Sequence, residues 1–588
     1  MVQNPTDIQA EAKLRALIEK AALLNAQTHD GKAQVQAVVG HILAEAPEYR
    51  GQPREIFKLA NIVVEEVNKL AQTEQRRILE ERWPETLVER ERKPEEHPLP
   101  PLPNVEHYTQ VVTRFSPNPD CVLHMGSARA IILSHEYAKI YKGKFYLRFE
   151  DTDPRQKRPK LEFYESIRED LTWLGCLWSG EFLQSQRLAI YYEHLARLLE
   201  MEKAYVCLCQ PQKFREFILV GKACPCRDLG REENLERWGR MLGGEYTEGE
   251  AVVRVKTDLQ HPNPAVRDWP AMRIIDTGRN PHPLTADKFQ VWPLYNLSCG
   301  LDDHLLGITH IIRGKEHLTN EVRQRFLYGH FGWEYPEAIH YGRLKITGAT
   351  LSKSEIKKGV ESGAYKGYDD PRLATFAALR RRGMQPEAIR QMIFDVGIKP
   401  VDVTLSWETF YTYNRRIIDP VAPRYFFIEN PVPLKIKGVG RPYSARLRLH
   451  PDHPQWGFRT FELHPEDQSL TLNIAGGDIQ LLKSVEVVRL MGLFNIKITD
   501  LREEAVEAVY HSESYEEAKK LQAPLIHFIP PGTGVEAKVM MPDATTHLGL
   551  AEEACKKLKI GQVIQFERFG FTRIDELNGW IIAYFAHK

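Results

Sequence analysis

Two short segments, far apart in the chain, carry residue types suited to handling a triphosphate. The first is Pro117-Asn-Pro-Asp-Cys-Val-Leu-His124-Met-Gly126-Ser127. It follows Val111-Val-Thr-Arg-Phe115, which reads as a strand, and leads into Ser127 to Tyr141, where Ala128, Ile131, Ile132 and Ala138 share one side of a helix. A loop between a strand and a helix N-terminus presents backbone N–H groups that suit phosphate. Gly126 permits close approach because it has no side chain. His124 can donate to a phosphate oxygen whose charge grows in the transition state. The bland alternative is a strand-to-helix turn with a capping histidine. The second segment is Thr350-Leu351-Ser352-Lys353-Ser354, behind Thr347-Gly-Ala349. A loop with one lysine and two hydroxyls is able to close over a triphosphate, and Lys is a point charge suited to leaving pyrophosphate. Taken alone, an exposed lysine in a serine-rich loop is usually just solvated.

A third cluster is Cys207-Leu-Cys209 and Cys224-Pro-Cys226, separated by fourteen residues. Four thiolates can close a tetrahedral zinc site. The spacing is C-x-C twice and not the commoner C-x₂-C, and reduced thiols in a bare loop are the alternative. Cys121, Cys176, Cys299 and Cys555 are scattered and read as core.

The elements that must position these residues follow from pattern. Residues 1–88 read as a helical domain, with stripes at Leu14, Leu17, Ile18, Ala21 and Leu24, at Val35, Val38, Val39, Ile42 and Leu43, and at Phe57, Ala60, Val64 and Val67. Residues 89–104 read as a linker, charged first and then proline-rich. Strand, Pro/Gly loop, helix and a second strand at Phe145-Tyr-Leu-Arg-Phe149 make a βαβ unit, which implies a parallel sheet over 105–201. Residues 202–288 hold the paired cysteines and break the alternation as an inserted domain, and 289–345 resume it. Residues 346–420 are mainly helical, and in 421–588 short apolar runs between Gly and Pro turns predict two small antiparallel barrels.

Composition bounds the function. The 588 residues suffice for three to five domains, and 43% hydrophobic with 27% charged residues excludes a disordered chain. Lys+Arg and Asp+Glu both number 79, so any nucleic-acid surface must be a local basic patch. No apolar run is long enough to span a bilayer, and the N-terminus lacks the basic-then-apolar layout of a secretory signal. Eight cysteines in so long a chain are no disulfide scaffold, which points to a reducing cytoplasm.

Placed in order, the segments resemble those of the archaeal-type glutamyl-tRNA synthetases, class I enzymes close to the glutaminyl ones. The loop at 117–127 and the stretch 350–354 resemble the family's HIGH and KMSKS signatures. Further matching segments are Thr113-Arg-Phe-Ser-Pro-Asn-Pro119, Leu147-Arg-Phe-Glu-Asp-Thr-Asp153, Asn263-Pro-Ala-Val-Arg-Asp-Trp-Pro270 and Val291-Trp-Pro-Leu-Tyr-Asn296. Others are Leu301-Asp-Asp-His-Leu305, Ile311-Ile-Arg-Gly-Lys-Glu-His317, Asp369-Asp-Pro-Arg372, Leu379-Arg-Arg-Arg-Gly383 and Phe566-Glu-Arg-Phe-Gly-Phe571. Departures are confined to Cys121, Ser127 and Thr350, at the motif edges.

The resemblance implies a Rossmann-like catalytic core split by an acceptor-arm insert, a helical N-terminal domain and C-terminal anticodon-binding barrels. It implies attachment of L-glutamate to tRNA(Glu) through glutamyl-adenylate, with ATP and Mg²⁺, and with tRNA(Gln) as a second acceptor left open. The alternatives are a glutaminyl-tRNA synthetase and an inactive tRNA-binding relative. His124 and Lys353 map to catalysis. Pro117, His124, Gly126, Ser127, Ser352 and Lys353 map to ATP. Arg114, Ser116, Glu150, Tyr295 and Arg313 map to glutamate, with Arg114 on a substrate carboxylate and Glu150 on the ammonium. The four paired cysteines map to a structural zinc of the insert. Arg313 is the discriminating position, because an arginine beside a neutral amide would lack a charged partner; its alternative is a structural pair with Asp302, Asp303 or Glu316. The basic runs Arg380-Arg-Arg382 and Arg415-Arg416 map to tRNA phosphates, and Phe569, Phe571 and Trp456 are aromatics available to bases but more suited to a core. A cytoplasmic monomer is expected.

Overall fold

The computed structural model describes residues 5–28, 31–46, 53–83 and 99–588. The chain divides into two compact units, Met1–Pro98 and Leu99–Lys588. Segment 89–98, most of the linker read from the sequence, lies outside the described residues.

In the first unit the described helices are α1 (Pro5–Thr28), α2 (Val35–Glu45), α3 (Pro53–Lys69) and α4 (Gln72–Arg82). Their apolar stripes meet in one core that includes Ile18, Ala21, Val38, Ile42, Ala60 and Val64. Phe57 departs from the expected third stripe and is 45% exposed, while Ile56 is fully buried. At helical spacing Phe57 falls at the edge of the buried arc, and Ile56 takes the core place.

The second unit opens with β1 (Val112–Phe115), α5 (Met125–Ile140), β2 (Lys144–Phe149), α6 (Leu161–Trp173) and β3 (Gly180–Leu183). The three strands pair parallel, with Val112 opposite Lys144 and Tyr146 opposite Gly180. The return from α5 to β2 depends on Gly143, where an added Cβ would lie 2.0 Å from the Val111 carbonyl oxygen. After α7 (Leu188–Glu200) the alternation breaks. β4 (Ala204–Cys207), α8 (Pro211–Leu219), α9 (Arg231–Leu242), β5 (Val252–Val255), β6 (Pro270–Ile274) and β7 (Val291–Pro293) follow. Strands β4 to β7 form an antiparallel sheet in sequence order. β7 lies past residue 288, the position at which sequence pattern closes the insert.

α10 (Tyr295–Leu305), β8 (His310–Gly314), α11 (Leu318–Phe331) and β9 (Glu337–Tyr341) restore the βα rhythm, with β8 and β9 parallel. Val112 and Thr309 exchange hydrogen bonds of 2.8 and 2.9 Å, which joins β1 to the start of β8. Then come β10 (Leu344–Ile346), α12 (Lys353–Glu361), α13 (Phe376–Arg381), α14 (Pro386–Val396), β11 (Val403–Leu405) and α15 (Trp407–Ile418). Fully buried Arg129 on α5 ties these parts together, donating to the carbonyls of Gly342, Gly397 and Lys399 at 2.6, 2.7 and 2.9 Å.

The C-terminal region holds two curled sheets, one using strands from 424–429 and 535–587 and the other strands from 431–526. They are mixed and not purely antiparallel: Leu434 pairs parallel with Val506, Arg489 with Leu525, and Ala537 with Ile581. One sheet is nested within the sequence of the other, so strands distant in sequence meet side by side, and such meetings need not reverse direction.

The arginine run before Gly383 makes internal contacts. Arg382 is 2% exposed and donates to Ala586 O at 2.9 Å and to the Tyr411 hydroxyl. Arg381 pairs with Asp369 and Asp575, each at 2.8 Å. Arg380 lies 3.6 Å from the buried Asp170. Arg415 donates to the carbonyl of Lys588. Only Arg416 of these five keeps an exposed, unpaired guanidinium among the described residues, against the ring of Tyr413. Phe571 is buried and Phe569 packs on Phe427 and Phe585, while Trp456 is partly exposed. Among the described residues, no helix is long and apolar enough to cross a membrane.

Candidate active site

A cavity of about 700 Å³ opens where the C-terminal ends of β1, β2 and β8 converge. In open α/β sheets this crevice is where ligands bind. Its wall includes Arg114, Ser116, Pro117, Ser127, Glu150, Tyr295, Arg313 and Lys353. His124, Gly126 and Ser352 are sequence neighbours of the wall and not part of it.

The loop after β1 is held by its own polar groups. His124 is the N-cap of α5, and its Nδ1 accepts from the Gly126 N–H at 3.0 Å. That acceptor role puts the ring proton on Nε2. An added Cβ on Gly126 would lie 2.7 Å from His124 Cε1, so glycine here makes room for the histidine ring. That adds a second reason for glycine here to the close approach expected from sequence. The N–H of Met125 bonds to Ala374 O and that of Ser127 to His124 O. The first amides of α5 are therefore occupied. Lys353 is the first residue of α12, with its Nζ 3.2 Å from Asn118 O and 3.5 Å from Asp120 Oδ1.

Burial, with a lesser push from Lys353, lowers His124 to about 4, so the ring is neutral at neutral pH. Burial likewise lowers His527, in the C-terminal region, to about 4. Because the unfolded chain binds these protons near the ordinary value of 6.5 and the folded one does not, stability falls as pH drops from about 6.5 toward 4. At pH 5 each buried histidine is expected to cost about 2 kcal/mol relative to pH 7. Thermal melts from pH 7.5 to 5 should slope downward on acidification; a flat Tm over that window would contradict neutral burial.

A layer of guanidinium groups adjoins the cavity, with Arg114 and Arg313 in its lining. Asp303 on α10 accepts from Arg114 Nε and Nη2 at 3.1 and 3.3 Å and from Arg148 Nη1 at 2.7 Å. Those two arginines outweigh burial and hold the Asp303 carboxyl well below the usual carboxylate range. Glu150 at the end of β2 is 3.4 Å from Arg148, yet burial raises its carboxyl. Tyr295 opens α10 with its ring 5.4 Å from that of His317, and burial keeps its phenol neutral.

Arg313 on β8 is 5% exposed, and its hydrogen-bond partners are all uncharged. They are the Tyr335 hydroxyl at 2.9 Å, Gln324 Oε1 at 3.1 Å and His340 Nε2 at 3.3 Å. The three acids weighed from sequence lie elsewhere. Asp302 takes Arg187 and Tyr191, Asp303 takes Arg114 and Arg148, and Glu316 sits 3.9 Å from Arg343. Arg313 is thus a buried cation beside a cavity with no resident counter-ion among the described residues. A buried unpaired charge is costly, and a ligand carboxylate would relieve that cost.

Sequence reasoning missed Lys157, Asn296 and Gln324. Lys157 and Asn296 line the cavity, and Asn296 Oδ1 is buried without a partner, as are Ser116 Oγ and Asn118 Oδ1. Buried polar atoms are normally satisfied, so these orphans are free to bond a ligand in the cavity. Asn296 follows Tyr295 directly, but spacing alone gives no reason to single it out.

The four cysteines of the insert converge, with all their sulfurs within 4.8 Å of one another. Cys207 and Cys224 are 3.9 Å apart and Cys209 and Cys226 are 3.8 Å apart. A tetrahedron with Zn–S bonds of about 2.3 Å has edges of about 3.8 Å, so the set fits zinc. The gaps are far too long for a disulfide, whose S–S bond is about 2.05 Å.

Comparison with known proteins adds the family. A profile described as the catalytic domain of class I tRNA synthetases (E and Q) matches residues 110–420. Two profiles for anti-codon binding domains of the same class match 422–513 and 525–575. The chain is 50% identical over 579 residues to the glutamate–tRNA ligase of Thermococcus kodakarensis, covering 98% of this chain and 100% of that one. It is 51% identical to that of Pyrococcus abyssi, covering 97% and 99%. With that of Methanopyrus kandleri it shares 45% identity, covering 98% and 100%.

Proposed function

The chain belongs to the class I tRNA synthetases of the glutamate and glutamine group, and on that premise we propose how its cavity attaches L-glutamate to tRNA(Glu) with ATP. The glutamate α-carboxylate attacks the α-phosphorus of ATP, forming glutamyl-adenylate and releasing pyrophosphate. A hydroxyl of the terminal ribose of tRNA then attacks the activated carbonyl, forming the ester and releasing AMP. Neither step requires a covalent bond to the protein, so positioning and charge carry the rate.

Arg313 takes the side-chain carboxylate of glutamate. Arg114, oriented by Asp303, faces a substrate carboxylate, and Glu150 with Tyr295 and Ser116 holds the ammonium end. Pro117 and Ser127 flank the nucleotide. His124 offers its Nε2–H, and Lys353 with Ser352 covers the phosphates, to which Mg²⁺ brought with ATP would supply further counter-charge. The observation that carries the proposal is the cavity-lining guanidinium of Arg313, 5% exposed and bonded only to neutral groups. A glutamine side chain would leave that charge unmatched, so glutamine is disfavoured.

The test is ATP–pyrophosphate exchange, run with and without tRNA. Glutamate should drive it and glutamine should not; faster exchange with glutamine would reverse the assignment. The proposal extends to tRNA(Gln) as an open second acceptor, on the resemblance to the archaeal-type enzymes alone. Aminoacylation of both purified tRNAs, side by side, decides that point. The insert is assigned to the acceptor arm and the two curled sheets to the anticodon. The protein is assigned to the cytoplasm as a monomer; a reducing compartment is in keeping with its eight free cysteines.

Cys207, Cys209, Cys224 and Cys226 are assigned to one structural zinc, which would brace the insert. Purified protein should carry about one zinc per chain. Cys224→Ser should lose the metal and lower Tm, with little change in glutamate activation. Metal-free wild-type protein melting at an unaltered temperature would rule the assignment out.

A further inference from the structure

Gln324 lies on α11, fully buried, one layer behind Arg313. Its Oε1 accepts from Arg313 Nη1 at 3.1 Å and from the Tyr335 hydroxyl at 2.7 Å. A guanidinium can only donate, so the oxygen of the amide must face Arg313. The consequence is that Gln324 Nε2 is buried with no hydrogen-bond partner. Local energetics would favour glutamate here. A carboxylate of the same shape would accept from both Arg313 and Tyr335, pair the buried charge and remove the orphan donor. The remaining neighbour is neutral too. His340 Nε2 accepts from Arg313 Nε at 3.3 Å, and burial with the push of Arg313 keeps the ring uncharged. Its Nδ1 lies 3.4 Å from Glu321 Oε2, so the nearest acid on α11 meets the imidazole and not the guanidinium.

We infer that Gln324 is a positioning residue that sets substrate choice: its amide orients Arg313 without neutralising it, which reserves the guanidinium for an acidic side chain. This rests on the assignment of Arg313 to the glutamate carboxylate. A resident carboxylate at 324 would occupy the fork and repel the incoming one. The device is an uncharged partner where a charged one would be more stable.

The experiment compares Gln324→Glu and Gln324→Met with wild type in ATP–pyrophosphate exchange, with glutamate and with glutamine, in the presence of tRNA. Gln324→Glu should lower kcat/KM for glutamate about 100-fold, through KM more than kcat. Its use of glutamine should change far less, so selectivity falls, and its ligand-free Tm should rise. Gln324→Met leaves Arg313 charged and should stay within about 10-fold of wild type while still preferring glutamate. Glutamate use by Gln324→Glu within about 3-fold of wild type would overturn the inference. Equal losses in the two variants would also overturn it, since that marks a merely structural role. A wild type unable to use glutamate would instead bring down the underlying assignment, and that failure is read directly from the control.

Discussion

Arg313→Met lowers kcat/KM for glutamate about 10²–10³-fold in ATP–pyrophosphate exchange, while the ligand-free protein melts at the same or a higher temperature; that is the expected result. The two halves have one cause. Arg313 is 5% exposed and bonds only to Tyr335, Gln324 and His340, so the free protein bears an unmatched buried charge. Methionine fills similar space without that cost. Glutamate, by contrast, loses a charge-assisted fork to its carboxylate. Most core substitutions lower stability and activity together, so a split between them distinguishes a ligand-binding charge from a structural one. A variant that loses stability and retains glutamate use would show that Arg313 belongs to the framework.

Lys353→Met should lower kcat and kcat/KM for the activation step alike, by about 10²–10³-fold, and leave KM for glutamate within about 3-fold. Lys353 stands at the first position of α12 and lines the same cavity as Arg313. At rest its ammonium is 3.2 Å from Asn118 O and 3.5 Å from Asp120. Those contacts keep it beside the loop at 116–124, where the phosphates of ATP would lie. Negative charge on the leaving pyrophosphate grows during bond cleavage, so a lysine there stabilises the transition state more than the bound substrates. A raised KM at constant kcat would assign Lys353 to ground-state binding instead.

Much of this was legible without coordinates. The strand–loop–helix around His124 follows from an apolar run, a Pro/Gly loop and a helical stripe, all local signals, and β1 and α5 form there. Local sequence admits both a capping histidine and a phosphate-facing loop there. His124 does cap α5, and the first amides of that helix are taken by Ala374 and His124. The internal partners of the arginine run 380–382 were not legible, because a basic stretch looks alike whether it faces RNA or strand ends. Arg382 reaches Ala586, 204 residues away, and local sequence carries no trace of that partner. The antiparallel expectation for the C-terminal sheets failed similarly, since short alternating runs specify a strand and not the direction of its neighbour.

By itself the sequence determined which side chains could do chemistry and in what order they come, through residue type, spacing and resemblance. It did so because periodicity and turn chemistry act over a few residues. Only the tertiary structure decided which charges are free. Arg114 and Arg313 are the same residue on neighbouring strands, yet one meets Asp303 from 189 positions away and the other meets only neutral groups. Ion pairing depends on ångström separations between elements far apart in the chain, and that geometry does not exist until the core has packed.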